Sequence, residues 1–334
     1  MPKLYPLLIK PEFHERVWGT RDLRPVYDLR PEKPIGEAWL TGHNCRVQNG
    51  ELAGRTLGEL CREFGADLVG EAASQPDRFP MLIKFLFPRE KLSVQVHPDD
   101  EMARSMGQPC GKTECWYVLS AEPGAQVGVG LKPGVTKNQF AEAIMGGNAE
   151  QLLNWIDIRP GELIYVEAGT VHAIGPGSIL VETQQNSDTT FRLYDYGRPR
   201  ELHVDMGLRA TKEHHSAKRV TRAQDDAISE LLAADCFRLL YCAVDDDGVE
   251  FGENNEGARS VEIVTALSGE GVIEVEGSLP VRFRVGEAVV VPAIIKGFSI
   301  RAAEGRFEAL VTYVPRTRST PSGGGRAKPV EVSS

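Results

Sequence analysis

The chain has 334 residues, 47 Asp and Glu against 38 Lys and Arg, and a formal net charge of −9. A hydrophobic content of 41 % and a charged content of 25 % exclude a fibrous or largely disordered protein, and the length allows two modest domains. The acidic balance excludes a broad nucleic-acid or anionic-membrane surface, which needs positive charge, but leaves room for a small basic pocket for one phosphate.

Residues 1–50 read as irregular, with short extended pieces; the apolar group near the start ends at Lys10-Pro11, too short for a secretory core. Residues 56–69 read as a helix, because Thr56 and Glu59 form a capping box and apolar residues recur three or four apart. The run MLIKFLF (81–87), between Pro80 and Pro88, predicts a buried strand. In KLSVQVH (91–97), alternation puts Leu92, Val94 and Val96 on one face and Ser93, Gln95 and His97 on the other. Residues 115–119 predict a strand, and 136–154, opening at Thr136, one or two short helices. Strands at 162–166 and 178–183 flank a Gly-rich turn.

The second half predicts a helix at 222–234, then strands at 236–243, 261–267, 271–276, 281–285, 287–292 and 307–314. Short strands at even spacing, with 34 Gly and 21 Pro to turn them, indicate a β-sandwich or barrel. From Arg316 onward the chain is rich in Ser, Gly and Pro and is expected to be a flexible tail. No run approaches the ~18 apolar residues of a spanning helix. The six cysteines contain no C-x-x-C pair and outline no disulfide framework, so reduced thiols in a cytoplasmic protein are expected.

An internal repeat is legible. RPGELIYVEAGTVHAIG (159–175) lies over RVGEAVVVPAIIKGFSI (284–300), and ECWYVLS (114–120) over EIVTALS (262–268). His172 then falls on Gly297, and no histidine follows His215, so the second copy has no imidazole site. The expected architecture is mainly β: a domain at 1–215 that carries the site, one without metal at 216–315, and a tail at 316–334.

Gln95 and His97 share a face, Glu114 opens the next strand, and His172 follows a tight turn. Two imidazoles, a carboxylate and an amide oxygen fit a zinc-type catalytic site with room for water or substrate. Singly, each histidine is better read as satisfying a local hydrogen bond, and His14, His43 and His203 are read that way. His214-His215, in a charged connector, is read as solvated. Cys115 alternates away from Glu114 and is read as structural. Asp245-Asp246-Asp247 is read as a turn, since it lacks a calcium loop's later Glu.

The turn resembles the second cupin motif, G-x5-P-x-G-x2-H, with Gly161, Gly169 and His172 in register and Glu167 at the Pro position; the second copy keeps that Pro as Pro292. The first cupin motif usually carries H-x-H, and here it reads Gln95-x-His97 with a long insertion before Glu114. That departure, with VWGTRDL (17–23), IGEAWL (35–40), PMLIKFLFPREKLSVQVHPDD (80–100), GKTECWYVL (111–119), GTVHAIG (169–175) and ETQQNSDTTFRLYDYGR (182–198), resembles the type I mannose-6-phosphate isomerases in their short bacterial form.

The resemblance implies two cupin-like jelly-roll domains with a few inserted helices, and interconversion of mannose 6-phosphate and fructose 6-phosphate through a cis-enediolate. It implies one zinc ion on Gln95, His97, Glu114 and His172. It gives Arg192, Lys112 and Glu182 catalytic roles, and Arg192, Arg198, Lys112 and Trp18 contacts to a sugar phosphate. Trp18 is otherwise read, like Trp39, as a core or rim residue. No nucleic-acid or membrane partner is expected, and the chain is expected as a monomer or weak homodimer. Two rivals are a cupin oxygenase, disfavoured by Gln95 in place of a His, and a non-catalytic sugar-phosphate binder, disfavoured by the intact ligand set. Isomerisation of a related sugar phosphate is also compatible with the sequence.

Overall fold

The computed structural model describes residues 3–213, 218–221, 226–252 and 259–316; the readings placed on His214-His215 and on the tail beyond Arg316 lie outside them. The described chain is mostly β, and its antiparallel sheets form two packed pairs, one for each copy of the repeat.

The inner sheet of the N-terminal half runs Lys218–Thr221, Glu162–Val166, Glu114–Ala121, Ser178–Gln185, Met81–Leu86, Ile35–Trp39, Glu12–Thr20. Its outer sheet runs Phe191–Tyr194, Val94–Val96, His172–Ile174, Gln126–Leu131, Leu153–Asp157. The C-terminal half repeats the inner order as Ala288–Val291, Glu262–Ser268, Phe307–Tyr313, Arg238–Val244, Ile228–Ala233, and the outer order as Val249–Phe251, Phe298–Ala302, Glu270–Glu274, Val281–Arg284. The repeat read from sequence is therefore a repeat of topology. Gly161 and Gly286, aligned in it, both turn with positive φ, 86° and 88°, a conformation that costs a residue with a Cβ.

The halves also exchange strands. Leu7–Lys10, at the start of the chain, pairs with Ala288–Val291 of the C-terminal inner sheet. Lys218–Thr221, entering the second half, pairs with Glu162–Val166 of the N-terminal inner sheet. Ladder hydrogen bonds thus cross in both directions, and the segment read as irregular begins with two strands.

Alternation along each strand splits the apolar residues between separate cores. Cys115, Tyr117, Val181 and Leu163 on one inner sheet join Ile263, Val290, Leu310 and Tyr241 on the other, so the two inner sheets pack against each other. Opposite faces of the same strands, with Trp116, Val118, Ile164 and Leu180, pack against Val127, Val129 and Ile174 of the N-terminal outer sheet. The C-terminal sandwich fills its interior with residues such as Val264, Val311, Phe283 and Ile300. Helices cover the far face of the N-terminal outer sheet: Phe140 and Ile144 of Lys137–Met145 and Ala210 of Val204–Ala210 meet Val94, Val96 and Phe191.

Helix starts follow the caps. The Thr56 hydroxyl accepts from the Glu59 amide at 3.1 Å, and the Glu59 carboxylate accepts from the Thr56 amide at 2.8 Å. The helix expected over 56–69 is split into Leu57–Phe64 and Ala66–Val69 at Gly65, whose φ is 51°. The helix expected at 222–234 is corrected: residues 222–225 lie outside the described residues, and Ile228–Ala233 is a strand against Arg238–Val244. Its Glu, Leu and Ala favour a helix locally, but Leu231 and Leu232 join the core between the sheets, and that packing overrides propensity. Among the described residues, no helix is long and apolar enough to cross a membrane.

Candidate metal and active site

The site lies inside the N-terminal sandwich, where strand register brings distant residues onto facing surfaces. Gln95 and His172 are direct cross-strand partners on the outer sheet. Glu114 comes from the inner sheet, beside Gln184 and Val166. His97, just past the Val94–Val96 strand, completes the group. The metal-binding atoms of His97, Glu114 and His172 all lie within 4.8 Å of one another, and all three residues are buried.

Hydrogen bonds fix both imidazole tautomers. Nδ1 of His97 lies 3.0 Å from the Thr189 carbonyl, and Nδ1 of His172 lies 2.9 Å from the Thr170 carbonyl. A carbonyl only accepts, so each Nδ1 carries the proton and each Nε2 turns a lone pair inward. Burial, aided by the Lys112 charge, lowers the His97 pKa to about 3, and burial lowers that of His172, so both rings are neutral at pH 7. Burial alone would raise the Glu114 pKa, but the Lys112 ammonium outweighs it and holds the carboxyl well below its ordinary value.

This donor set fits a cation. Glu114 Oε1 is buried and receives no hydrogen bond, while the lone-pair Nε2 of His172 stands 3.4 Å from it. Two acceptors facing each other across that distance call for a positive charge between them. The Lys112 ammonium supplies one on the other side, donating to Nε2 of His97 at 2.9 Å and Oε2 of Glu114 at 2.6 Å. The Gln95 amide reaches Nε2 of His172 at 3.2 Å, and a half-turn about its last bond presents its oxygen instead. The arrangement fits a metal ion.

The chain matches the family model "Phosphomannose isomerase type I, catalytic domain" over residues 7–119. It is 34 % identical to the mannose-6-phosphate isomerase ManA of Bacillus subtilis, across 92 % of this chain and 99 % of the relative. The chain belongs to the type I phosphomannose isomerase family. A mannose-6-phosphate isomerase of Streptococcus mutans is 32 % identical across 92 % of this chain and 98 % of its own length. The crystal structure of the Bacillus subtilis mannose 6-phosphate isomerase superposes with a TM-score of 0.81 at 30 % identity, covering 92 % of this chain and 99 % of that one. A zinc-bound mannose 6-phosphate isomerase shares the fold at 16 % identity, with a TM-score of 0.74 over 93 % and 99 % of the two chains.

In this phosphomannose isomerase family member, Glu182 stands on the same face of the inner sheet, opposite Trp116 on one side and Lys84 on the other. Its carboxylate accepts from the Trp116 indole at 3.0 Å and pairs with the Lys84 ammonium at 2.6 Å. Trp116 in turn meets the His172 ring edge-on at 5.4 Å. Beyond Lys84 lies Glu37, held by both arms of Arg16 at 3.0 and 2.9 Å and by the Trp39 indole at 2.7 Å. Burial would raise the Glu37 pKa, but Lys84 and Arg16 bring it down to about 2. A row of paired charges therefore runs across the inner sheet from Glu114 to Arg16.

Sequence reading missed Lys84, Glu37 and Arg16. One signal was available for Lys84. It is the only charged residue in an otherwise apolar strand, and a buried ammonium requires a partner.

Arg192 and Arg198 sit on the strand Phe191–Tyr194 and the turn after it. Arg192 is the cross-strand partner of Gln95. Its Nη1 donates to the Glu201 carbonyl at 2.8 Å, while its Nε is buried without a hydrogen-bond partner. Arg198 approaches Asp195 with Nη1 at 3.7 Å, and that nitrogen is also buried without a hydrogen bond. Asp195 is already bound by both arms of Arg200, at 2.6 and 2.7 Å. Arg198 and Arg200 thus share one carboxylate, and Arg192 Nε and Arg198 Nη1 remain donors suited to an anion. Trp18, 4 % exposed, packs in the apolar core with Leu86 and Trp116. His203 exchanges backbone and ring hydrogen bonds with Arg192, as a local partner.

Proposed function

We propose that this chain interconverts mannose 6-phosphate and fructose 6-phosphate, moving a proton between C1 and C2 through a cis-enediolate. The carrying observation is the buried donor set, two neutral imidazoles and an ionised carboxylate, in a member of the type I phosphomannose isomerase family. His97, Glu114 and His172 would hold zinc, with the Gln95 amide oxygen as a fourth donor. When bound, the ion supplies a Lewis acid that polarises the oxygens at the reacting carbons.

The protein residues then divide the remaining work. Glu182, ion-paired with Lys84, is the base that takes the proton from one carbon and returns it to the other. Lys112 is the acid that supplies a proton to oxygen as the ring opens. Arg192 stabilises the negative charge that grows on the enediolate oxygens. Arg198 anchors the phosphate through Nη1, which lacks a hydrogen bond, with Lys112 as a second cation. Residues 1–215 carry the chemistry, and 216–315 support it by covering the inner sheet. A reducing cytoplasm suits the six free cysteines. Nothing in this mechanism needs a second subunit, in keeping with a monomer or weak homodimer.

A coupled assay for fructose 6-phosphate formed from mannose 6-phosphate tests the proposal. Activity should vanish on chelation and return with zinc. A folded, zinc-loaded protein without turnover would sink the isomerase reading, and binding without turnover would favour a sugar-phosphate-binding protein. Activity that survives proven metal removal would keep the substrate and overturn the mechanism.

A further inference from the structure

The turn that carries Arg198 has an unfavourable residue at its apex. The Arg198 amide bonds to the Asp195 carbonyl at 3.0 Å, closing a tight turn over Tyr196 and Gly197. Both central residues have positive φ, 55° at Tyr196 and 78° at Gly197. Turns of this kind prefer Asn, Asp or Gly at both places, and a bulky side chain there is strained. Among the described residues, Tyr196 alone of the non-glycines has positive φ. Such strain persists only where surrounding contacts hold it, and it points to a use.

The contacts show what the ring does. The Tyr196 ring packs against two cations, with the Lys91 ammonium 5.5 Å from its centre and the Arg198 guanidinium carbon 5.4 Å from it. Lys91 is itself fixed, 5.5 Å over the Trp155 ring and 2.7 Å from the Glu150 carboxylate. Its carbonyl accepts from Nη2 of Arg198. The ring is therefore one layer of a column, Trp155–Lys91–Tyr196–Arg198, that begins on the helix-covered side of the outer sheet. The column ends at Arg198 Nη1, a buried donor without a hydrogen bond, 3.7 Å from the Asp195 carboxylate that Arg200 already occupies.

We propose that Tyr196 is a positioning residue for phosphate recognition: its ring, braced by Lys91, holds Arg198 so that Nη1 faces the substrate's phosphate. This rests on Arg198 being the phosphate anchor, as assigned above. A guanidinium stacked on an aromatic face keeps its fork in one plane, so little freedom is lost when an oxyanion binds. Asn at position 196 would suit the backbone better but would leave the guanidinium free to swing.

Calorimetric binding of inorganic phosphate to the full chain, alongside steady-state kinetics, tests this. Tyr196→Asn should weaken phosphate binding and raise KM for mannose 6-phosphate by about tenfold, with kcat within about twofold. Its melting temperature should not fall, because the backbone strain is relieved. Tyr196→Phe, which keeps the ring, should recover wild-type phosphate affinity. Lys91→Gln, on the open side of the column, should give a smaller loss of about threefold and keeps the test sound if the turn variant folds poorly. Unchanged phosphate affinity in Tyr196→Asn, or an equal loss in Tyr196→Phe, would overturn the proposal. A wild-type chain that binds phosphate but turns over no mannose 6-phosphate would sink the isomerase reading alone.

Discussion

Glu114 and Glu262 open equivalent strands in the two halves of the molecule, each beside the strand that follows a positive-φ glycine. Glu114 is surrounded by Lys112, His97 and His172, and the Lys112 ammonium holds it ionised against the cost of burial. Glu262 has no such company, and burial pushes its pKa up to about 7. The neighbouring positions diverge in the same way. Where register places Glu182 and Lys84 side by side in the first half, it places Val311 and Leu240 in the second. Where Gln95 faces His172, the equivalent strands meet in a stacked Phe251–Phe298 pair, 5.1 Å apart. One topology thus supports either a charged interior or an apolar one. A buried carboxylate keeps its charge here only where a cation converges on it.

Breaking the charged side should have the largest effect. Glu114→Gln leaves the Lys112 ammonium buried without its anion, so we expect stability to fall by about 3 kcal/mol in urea unfolding. Metal content should drop with it, and turnover should fall by at least about a thousandfold. A variant that keeps its metal and most of its rate would remove Glu114 from the ligand set.

Arg192→Ala comes next and separates chemistry from metal binding. Turnover should fall by about a hundredfold to a thousandfold while metal content, read by elemental analysis, stays at one per chain. Near-normal turnover would take Arg192 out of the mechanism.

Glu262→Gln has the smallest effect and the opposite sign. A carboxyl whose folded pKa is about 7, against 4.5 for the free side chain, favours the folded state fully only below pH 4.5. That contribution is lost as pH rises through 7. Between pH 4.5 and pH 8 the variant should therefore gain about 2 kcal/mol relative to the wild type, with activity unchanged. Parallel stability–pH curves for the two proteins would show that Glu262 is compensated after all.

Local rules carried much of the fold into the sequence. The Thr56 box, the alternation that puts Gln95 and His97 on one side, the Gly161 turn and the repeat all act over a few residues or by self-comparison. Local rules failed where a distant partner decided the outcome. Ile228–Ala233 carries helix-forming residues, yet pairing with Arg238–Val244 makes it a strand. Residues 1–50 gave weak signals because their strands are completed by partners elsewhere, Leu7–Lys10 by Ala288–Val291 far down the chain.

The site divides along the same line. Side-chain alternation put Gln95 and His97 on one face, because a strand's period of two is a local property, and the family resemblance joined Glu114 and His172 to them. The row Lys112–Glu114, Glu182–Lys84, Glu37–Arg16 and the Lys91–Tyr196–Arg198 column came only with the tertiary structure. Charge pairing in an interior depends on which residues are brought within about 3–4 Å and shielded from water together. Spacing along a chain does not determine that for residues on different strands. By itself the sequence determined which side chains could be donors; the packing of two sheets decided which of them keep their charge.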